Sequence, residues 1–174
     1  MATDGPLSGL LVADFSRVLA GPFAAMMLAD LGARVVKVER PVTGDDSRGY
    51  GPFVDGRSLY FARVNRGKES VALDLKDPAD LAVARSLATR ADVLVENYRP
   101  GVMARLGLGW LDLRPLAPGL VYCSVSGFGH TGPWRERPAY DAVVQGMSGI
   151  MAVSGSTDGP PVKPGGPHAT GMPL

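Results

Sequence analysis

The chain has 174 residues, 45% of them apolar, with 18 lysines and arginines against 17 acids and a formal charge of +1. That length suits one α/β domain with an ample core, and the near-neutral balance leaves no long-range field to draw it to nucleic acid or an anionic membrane. No run is long or apolar enough to span a bilayer, "MATDGPLSG" lacks the regions of a signal peptide, and the lone Cys123 excludes an internal disulfide and points to a reducing cytoplasm.

In chain order, "GLLVADFS", "GPFAAMMLADLGA" and "RVVKVERP" read as strand, helix and strand, the βαβ rhythm of a parallel sheet. "GDDSRGYGPFVDGRSLY" is glycine-rich and aperiodic, which predicts a surface loop, and "SVALDL" is a third strand. "DPADLAVARSLATRA" carries helix-start chemistry, with Asp77 as N-cap, Pro78 at the first position and Asp80 near the positive end of the dipole. Its apolar stripe is Leu81, Ala84, Leu87, Ala88 and Ala91. "DVLVEN" is a fourth strand, "PGVMARLGL" a short helix and "LVYCSVSGFG" a fifth strand. "AYDAVVQGMSGIMAVSG" predicts one final helix despite two internal glycines. The fold class is therefore α/β: an open, mostly parallel sheet with helices on both faces.

In such sheets ligands sit at the carboxyl ends of strands, where the strand order switches. That directs attention to "SRVLAGP", "ERPVTGDD", "ENYRPG" and "SGFGHTGP". Gly127, Gly129 and Gly132 formally spell a nucleotide fingerprint, but Pro133 and Pro138 prevent the helix it requires, so a structural turn is expected. Arg40, Lys76, Arg99 and Arg105 all fall near strand ends, with Asn97 beside Arg99, a set suited to a polyphosphate. Taken alone, Arg99 fits a solvated loop arginine equally well, and the spacing does not establish that the four converge. His130, His168 and Cys123 show no metal-ligand spacing, and "SVSGFG" lacks the glycine of a nucleophile elbow.

Six blocks in order, "LVADFSRVLAGPFAAMMLADLGARVVKVERP", "RGKESVALDLK", "DVLVENYRPGVMARLGLG", "VYCSVSGFGHTGPW", "PAYDAVVQGMSGIM" and "DGPPVKPG", resemble the class III coenzyme A transferases. This is the family of formyl-CoA transferase, carnitine-CoA transferase and methylacyl-CoA racemase. The likeness runs from about Leu7 to Met172. Family members are much longer, so the resemblance makes residues 1–174 the N-terminal part of a Rossmann-like large domain. The family's C-terminal part and small domain would lie outside it. It also implies interlocked homodimers, a coenzyme A thioester as substrate with a carboxylic acid as acceptor, and no permanently bound cofactor.

Carried over position by position, the resemblance puts Val18, Leu19 and Ala20 against the nucleotide or pantetheine and Arg40 on phosphate. Leu73 and Lys76 would hold the adenine and phosphate region, and Asn97, Tyr98, Arg99 and Arg105 would complete the cleft. Ala139, Tyr140 and Asp141 would lie nearer the thioester. Racemases of the family have a histidine where Tyr140 stands, and tyrosine is a poor general base near neutral pH, so the transferase branch is implied. The family's nucleophilic aspartate is expected near "GPHATG", where Pro167, His168 and Ala169 stand instead. The expectation is therefore a chain that is inactive alone and self-associating. The alternative is a non-enzymatic acyl-CoA-binding or partner-binding domain.

Overall fold

Short valine-rich runs, apolar on both faces, need cover above and below, and a doubly wound sheet supplies it. The computed structural model describes residues 5–165. β1 (Leu11–Asp14) leads through α1 (Ala20–Asp30) to β2 (Arg34–Glu39), paired in parallel with Asp14 opposite Lys37. Gly32, at φ +102°, makes the turn out of α1 in a conformation that a side chain would strain.

The segment after β2 differs from the expected plain loop. It contains a 3₁₀ turn (Asp46–Gly49), a hairpin of β3 (Phe53–Val54) and β4 (Arg57–Ser58), and α2 (Leu59–Asn65). Ser58 caps α2 by accepting the Phe61 N–H at 3.1 Å, and its own hydroxyl donates to the Ser47 carbonyl at 2.8 Å. Side-chain caps and buried serines organise this stretch, which is why apolar periodicity does not reveal it.

β5 (Lys68–Ala72) and α3 (Pro78–Arg90) follow, with Asp77 accepting the Ala79 and Asp80 N–H groups at 2.9 and 3.1 Å as the start chemistry predicts. Then come β6 (Val93–Glu96), α4 (Val102–Arg105), α5 (Trp110–Leu113), β7 (Val121–Ser124) and α6 (Asp141–Met147). The sheet order is β5-β2-β1-β6-β7, and every pairing in it is parallel. The long final helix that the sequence predicts stops at Met147. Gly149 adopts φ +81° and the chain continues as turns, because glycine admits the left-handed conformation that ends a helix.

Alternation along the strands divides the core between two faces. Ala13 and Leu94 join Ala84, Ala88, Met103, Leu108 and Leu113 in the larger cluster under α3, α4 and α5. Val12, Val35 and Val95 pack with Ala25 of α1 in the smaller one. Among the described residues, no helix is long and apolar enough to cross a membrane.

A buried polar layer joins the carboxyl ends of β1 and β2 to Lys68, which opens β5. The Lys68 ammonium donates to Asp14, the Pro22 carbonyl and Asn65, each at 2.8 Å, so all three of its protons have acceptors. Burial pushes the Lys68 ammonium down, with Asp14 opposing. The Lys37 ammonium meets Asp45 at 2.9 Å and the Ser16 carbonyl at 2.7 Å. Glu39 takes both arms of the Arg48 guanidinium at 2.7 Å, the Ser70 hydroxyl at 2.6 Å and the Asp45 N–H at 2.9 Å. Burial pushes Glu39 up, but Arg48, Ser70 and the Asp45 N–H together outweigh it and hold the carboxyl at about 2.

A folded value below the ordinary 4.5 means that Glu39 contributes its full stabilisation above about pH 4.5 and loses it as pH falls towards 2. Urea unfolding of the wild type should therefore weaken across that interval. Glu39→Gln should flatten the slope while lowering stability at neutral pH. An unchanged slope in the variant would assign it to other carboxylates.

Candidate functional site

β2 lies on one side of β1 and β6 on the other, so the strand order reverses between β1 and β6 and their following loops diverge there. Asn97, just past β6, ties the two loops together. Its Oδ1 accepts the Arg17 N–H and its Nδ2 donates to the Arg17 carbonyl, both at 2.8 Å. Val18 follows at φ +66°, a conformation costly for a β-branched residue. The Asp45 carboxylate holds it there, accepting the Val18 N–H at 3.2 Å to each oxygen. Gly21 is required by contact: a Cβ there would lie 2.2 Å from the Ser16 Cβ.

Two cavities open on this switch point and share Arg17, Tyr98 and Val102. The larger, about 360 Å³, gathers Val18, Asn97, Tyr98, Arg99, Ala139 and Tyr140 from the expected set, with Arg135 and Arg137 added. The smaller, about 230 Å³, gathers Arg40, Leu73, Lys76 and Tyr98. Burial pushes the Tyr98 phenol up, with Arg17 opposing, so the wall common to both cavities stays a neutral hydroxyl at physiological pH.

Leu19, Ala20, Arg105 and Asp141 line neither of these cavities. Leu19 and Ala20 open α1, and Arg105 ends α4 on the exposed surface. Asp141 is buried at the start of α6, where its carboxylate accepts from the Gln145 amide at 2.5 Å. Pro167, His168 and Ala169 lie outside the described residues.

Sequence reasoning missed Arg17 and Asp46. One oxygen of the Asp46 carboxylate receives the Arg17 guanidinium and the other receives that of Arg40. Nothing in the spacing announces that meeting, since Arg17 stands 29 residues from Asp46. The basic pair Arg135 and Arg137, close behind the glycine turn, was the available signal for the far wall. That turn is structural, as expected. A Cβ on Gly127 would fall 1.9 Å from the Ala139 Cβ, Gly129 and Gly132 have positive φ, and no helix begins between Gly127 and Asp141.

A third cavity, about 460 Å³, lies beside β6 and β7 and includes Glu96, Arg99, Trp110, Tyr122, Ser124 and His130. Glu96 accepts the Tyr98 N–H at 2.8 Å and the Ser124 hydroxyl, and Ser124 Oγ stands 2.7 Å from His130 Nε2. Burial pushes the Glu96 carboxyl up, against the pull of Ser124, the Tyr98 N–H and His130. With the Ser124 proton donated to Glu96, the Ser124 oxygen is left to accept from His130 Nε2, an arrangement in which His130 is not the base that activates the serine. Among the described residues no group of three or more His, Cys, Asp or Glu side chains is placed to hold a metal ion.

An open parallel α/β sheet with a cation-lined crevice at its switch point is suited to an anionic, nucleotide-sized ligand. The sequence profile of CoA-transferase family III matches residues 7–172, and the chain belongs to that family. It is 56% identical over 162 residues to the acetyl-CoA:oxalate CoA-transferase of Acetobacter aceti, covering 93% of this chain and 42% of that one. It is 52% identical over 161 residues to the succinyl-CoA:glutarate CoA-transferase of Mus musculus, covering 92% of this chain and 37% of that one. The crystal structure of a CAIB/BAIF family protein from Brucella suis superposes with a TM-score of 0.90 at 44% identity, covering 95% of this chain and 45% of that one. The chain thus spans about 40% of the length of the relatives it matches.

The Asn97 clamp gives a direct test of how the crevice is held. Asn97→Asp keeps the acceptor for the Arg17 N–H but turns a carboxylate oxygen towards the Arg17 carbonyl. Chemical denaturation should show a loss of about 1–3 kcal/mol, the cost of an unsatisfied buried partner. An undiminished midpoint would mean that the two loops are held by other contacts.

Proposed function

We propose that this chain carries the coenzyme A-binding face of a family III CoA-transferase, as the N-terminal part of the large domain. The observation that carries the reading is the pair of adjoining cavities at the switch point. Residues selected for charge at strand ends and residues implied by the family resemblance meet there. Arg40 and Lys76 suit phosphate, Leu73 suits the adenine, and Tyr98 and Val18 form an uncharged wall for pantetheine. Ala139 and Tyr140 then mark the thioester end. Tyrosine at that place supports CoA transfer over racemisation.

For the whole protein we propose an acyl-CoA donor and a carboxylic acid acceptor, of the dicarboxylate kind named for its relatives. The chemistry needs an enzyme carboxylate to attack the thioester, releasing the CoA thiolate and leaving a mixed anhydride. The thiolate returns to the enzyme carbonyl of that anhydride, expelling the donor acid as its carboxylate and giving an enzyme-bound thioester. The acceptor carboxylate attacks this thioester and expels the thiolate again. The thiolate then cleaves the second anhydride at the acceptor's carbonyl, freeing the enzyme carboxylate. Pro167, His168 and Ala169 supply no carboxylate where the resemblance calls for one. The 174 residues by themselves are therefore proposed to bind CoA without turning it over.

Calorimetric titration of the chain with CoA should show saturable binding. A charge-assisted contact is worth about 1.5–3 kcal/mol, so Arg40→Ala and Arg99→Ala should each weaken binding about tenfold or more. Arg105→Ala, off the cavities, should weaken it least. Labelled acyl-CoA with carboxylate acceptors and hydroxylamine should trap no acyl-enzyme. Unchanged affinity in all three variants would return the arginines to solvated loops, and a trapped adduct would overturn the inactivity.

Self-association belongs to the same proposal. Phe23 and Met27 on α1 and Val143 and Met147 on α6 are each 46–50% exposed, an apolar surface that the family's interlocked dimer would use. Size-exclusion chromatography with light scattering should give a mass above that of one chain. A clean monomer across the micromolar range would show that this surface tolerates water.

A further inference from the structure

Asp46 stands between the two cavities of the crevice. Its carboxylate binds two guanidinia at once, that of Arg17 from the loop after β1 and that of Arg40 from the end of β2. Arg17 lines both cavities, Arg40 the smaller and Asp46 the larger. Two guanidinia converging on the oxygens of one anion is the arrangement that recognises a phosphate. Here the chain's own acid occupies it.

The neighbouring acids are committed elsewhere. Asp45 is paired with Lys37, and Glu39 takes both arms of Arg48. Asp74, the remaining acid of the smaller cavity, accepts the Lys76 N–H at 3.0 Å. Asp46 differs in being open to exchange. Its side chain is 41% exposed, and those of Arg17 and Arg40 are 30% and 52%. Exposed pairs of this kind are weak. The backbone around it is anchored, because Asp45 and Ser47 are buried on either side. Displacing the Asp46 carboxylate therefore takes a side-chain rotation and no opening of the loop.

We infer that Asp46 is a built-in competitor for the ligand's phosphate. While the crevice is empty it holds Arg17 and Arg40 in register. A ligand phosphate takes both guanidinia and releases the carboxylate to water. A ligand without phosphate makes no such exchange, so Asp46 lowers the affinity of the phosphorylated form alone and leaves that of the unphosphorylated form as it is. The inference rests on the proposed CoA site for the identity of the ligand, but requires only an anion at Arg17 and Arg40.

The test titrates the 174-residue wild type, Asp46→Asn and Asp46→Ser with CoA, pantetheine and inorganic pyrophosphate. Thermal unfolding is recorded for each variant. Removing the competing charge should tighten CoA and pyrophosphate about three- to tenfold and leave pantetheine unchanged. CoA bound equally or more weakly by both variants, with the wild type still binding it, overturns the inference and leaves the CoA site standing. Pyrophosphate tightened while CoA fails to bind any form supports the inference and removes the CoA reading. No binding of either anion overturns both. Loss of the folded state in both variants would make Asp46 a structural strut and would also overturn it.

Discussion

Lys37 and Asp45, each with 1% of its side chain exposed, meet at 2.9 Å beneath the crevice, and the shape of the site follows from that pair. Lys37 also donates to the Ser16 carbonyl, which ties β2 to the loop after β1. Asp45 also accepts the Val18 N–H, which holds Val18 in its unfavourable left-handed conformation. One ion pair thus sets both the loop after β1 and the excursion after β2. Hydrophobic residues of similar volume could replace such a pair with little loss of stability, but removing one partner alone costs about 3–5 kcal/mol. Its contribution here is position. An apolar substitute would offer nothing to the Ser16 carbonyl or to the Val18 N–H.

The pair has two neighbours at the same edge of the sheet, Lys68 with Asp14 and Arg48 with Glu39. Together they join the carboxyl ends of β1 and β2 and the start of β5 in a polar layer in which opposite charges are matched. The match explains how a nearly neutral protein presents a local cationic crevice. Its buried charges cancel, while Arg40, Lys76, Arg99, Arg135 and Arg137 reach the cavities from the rim. At that rim Asp46 sits between two arginines, and its exposure sets it apart from Asp14, Glu39 and Asp45, the buried acids beneath.

The cavity beside β6 and β7 shows how the same polar layer continues past the switch point. Glu96 ends β6 in the way that Glu39 ends β2, but it has Ser124 and the Tyr98 N–H for company where Glu39 has a guanidinium. The consequence is opposite in sign. Burial prevails at Glu96 and raises its carboxyl, whereas Arg48 and its companions prevail at Glu39 and lower it. Arg99 lines both this cavity and the larger one of the crevice, so the two sites share a wall.

Much of the fold was legible in the residues themselves. β-branched runs marked the sheet strands, Asp77 and Pro78 marked the start of α3, and the strand-end cations Arg40, Lys76 and Arg99 marked the crevice, because these signals are local. The final helix was overextended because the left-handed turn at Gly149 outweighs the apolar run on either side of it. The excursion after β2 is not legible because its order comes from side-chain hydrogen bonds, Asp45 with Val18, Ser47 with Asp45 and Ser58 with Ser47, which leave no apolar period. The sequence by itself determined the α/β class, the family and the loops that line the crevice, since periodicity and ordered motifs are properties of neighbouring residues. Only the tertiary structure decided that Arg17, Arg40 and Asp46 meet, that Arg105 stands apart, and that Lys37, Asp14 and Glu39 are buried yet paired. Charge pairing acts through space over a few ångströms, and only the folded sheet brings those groups within reach.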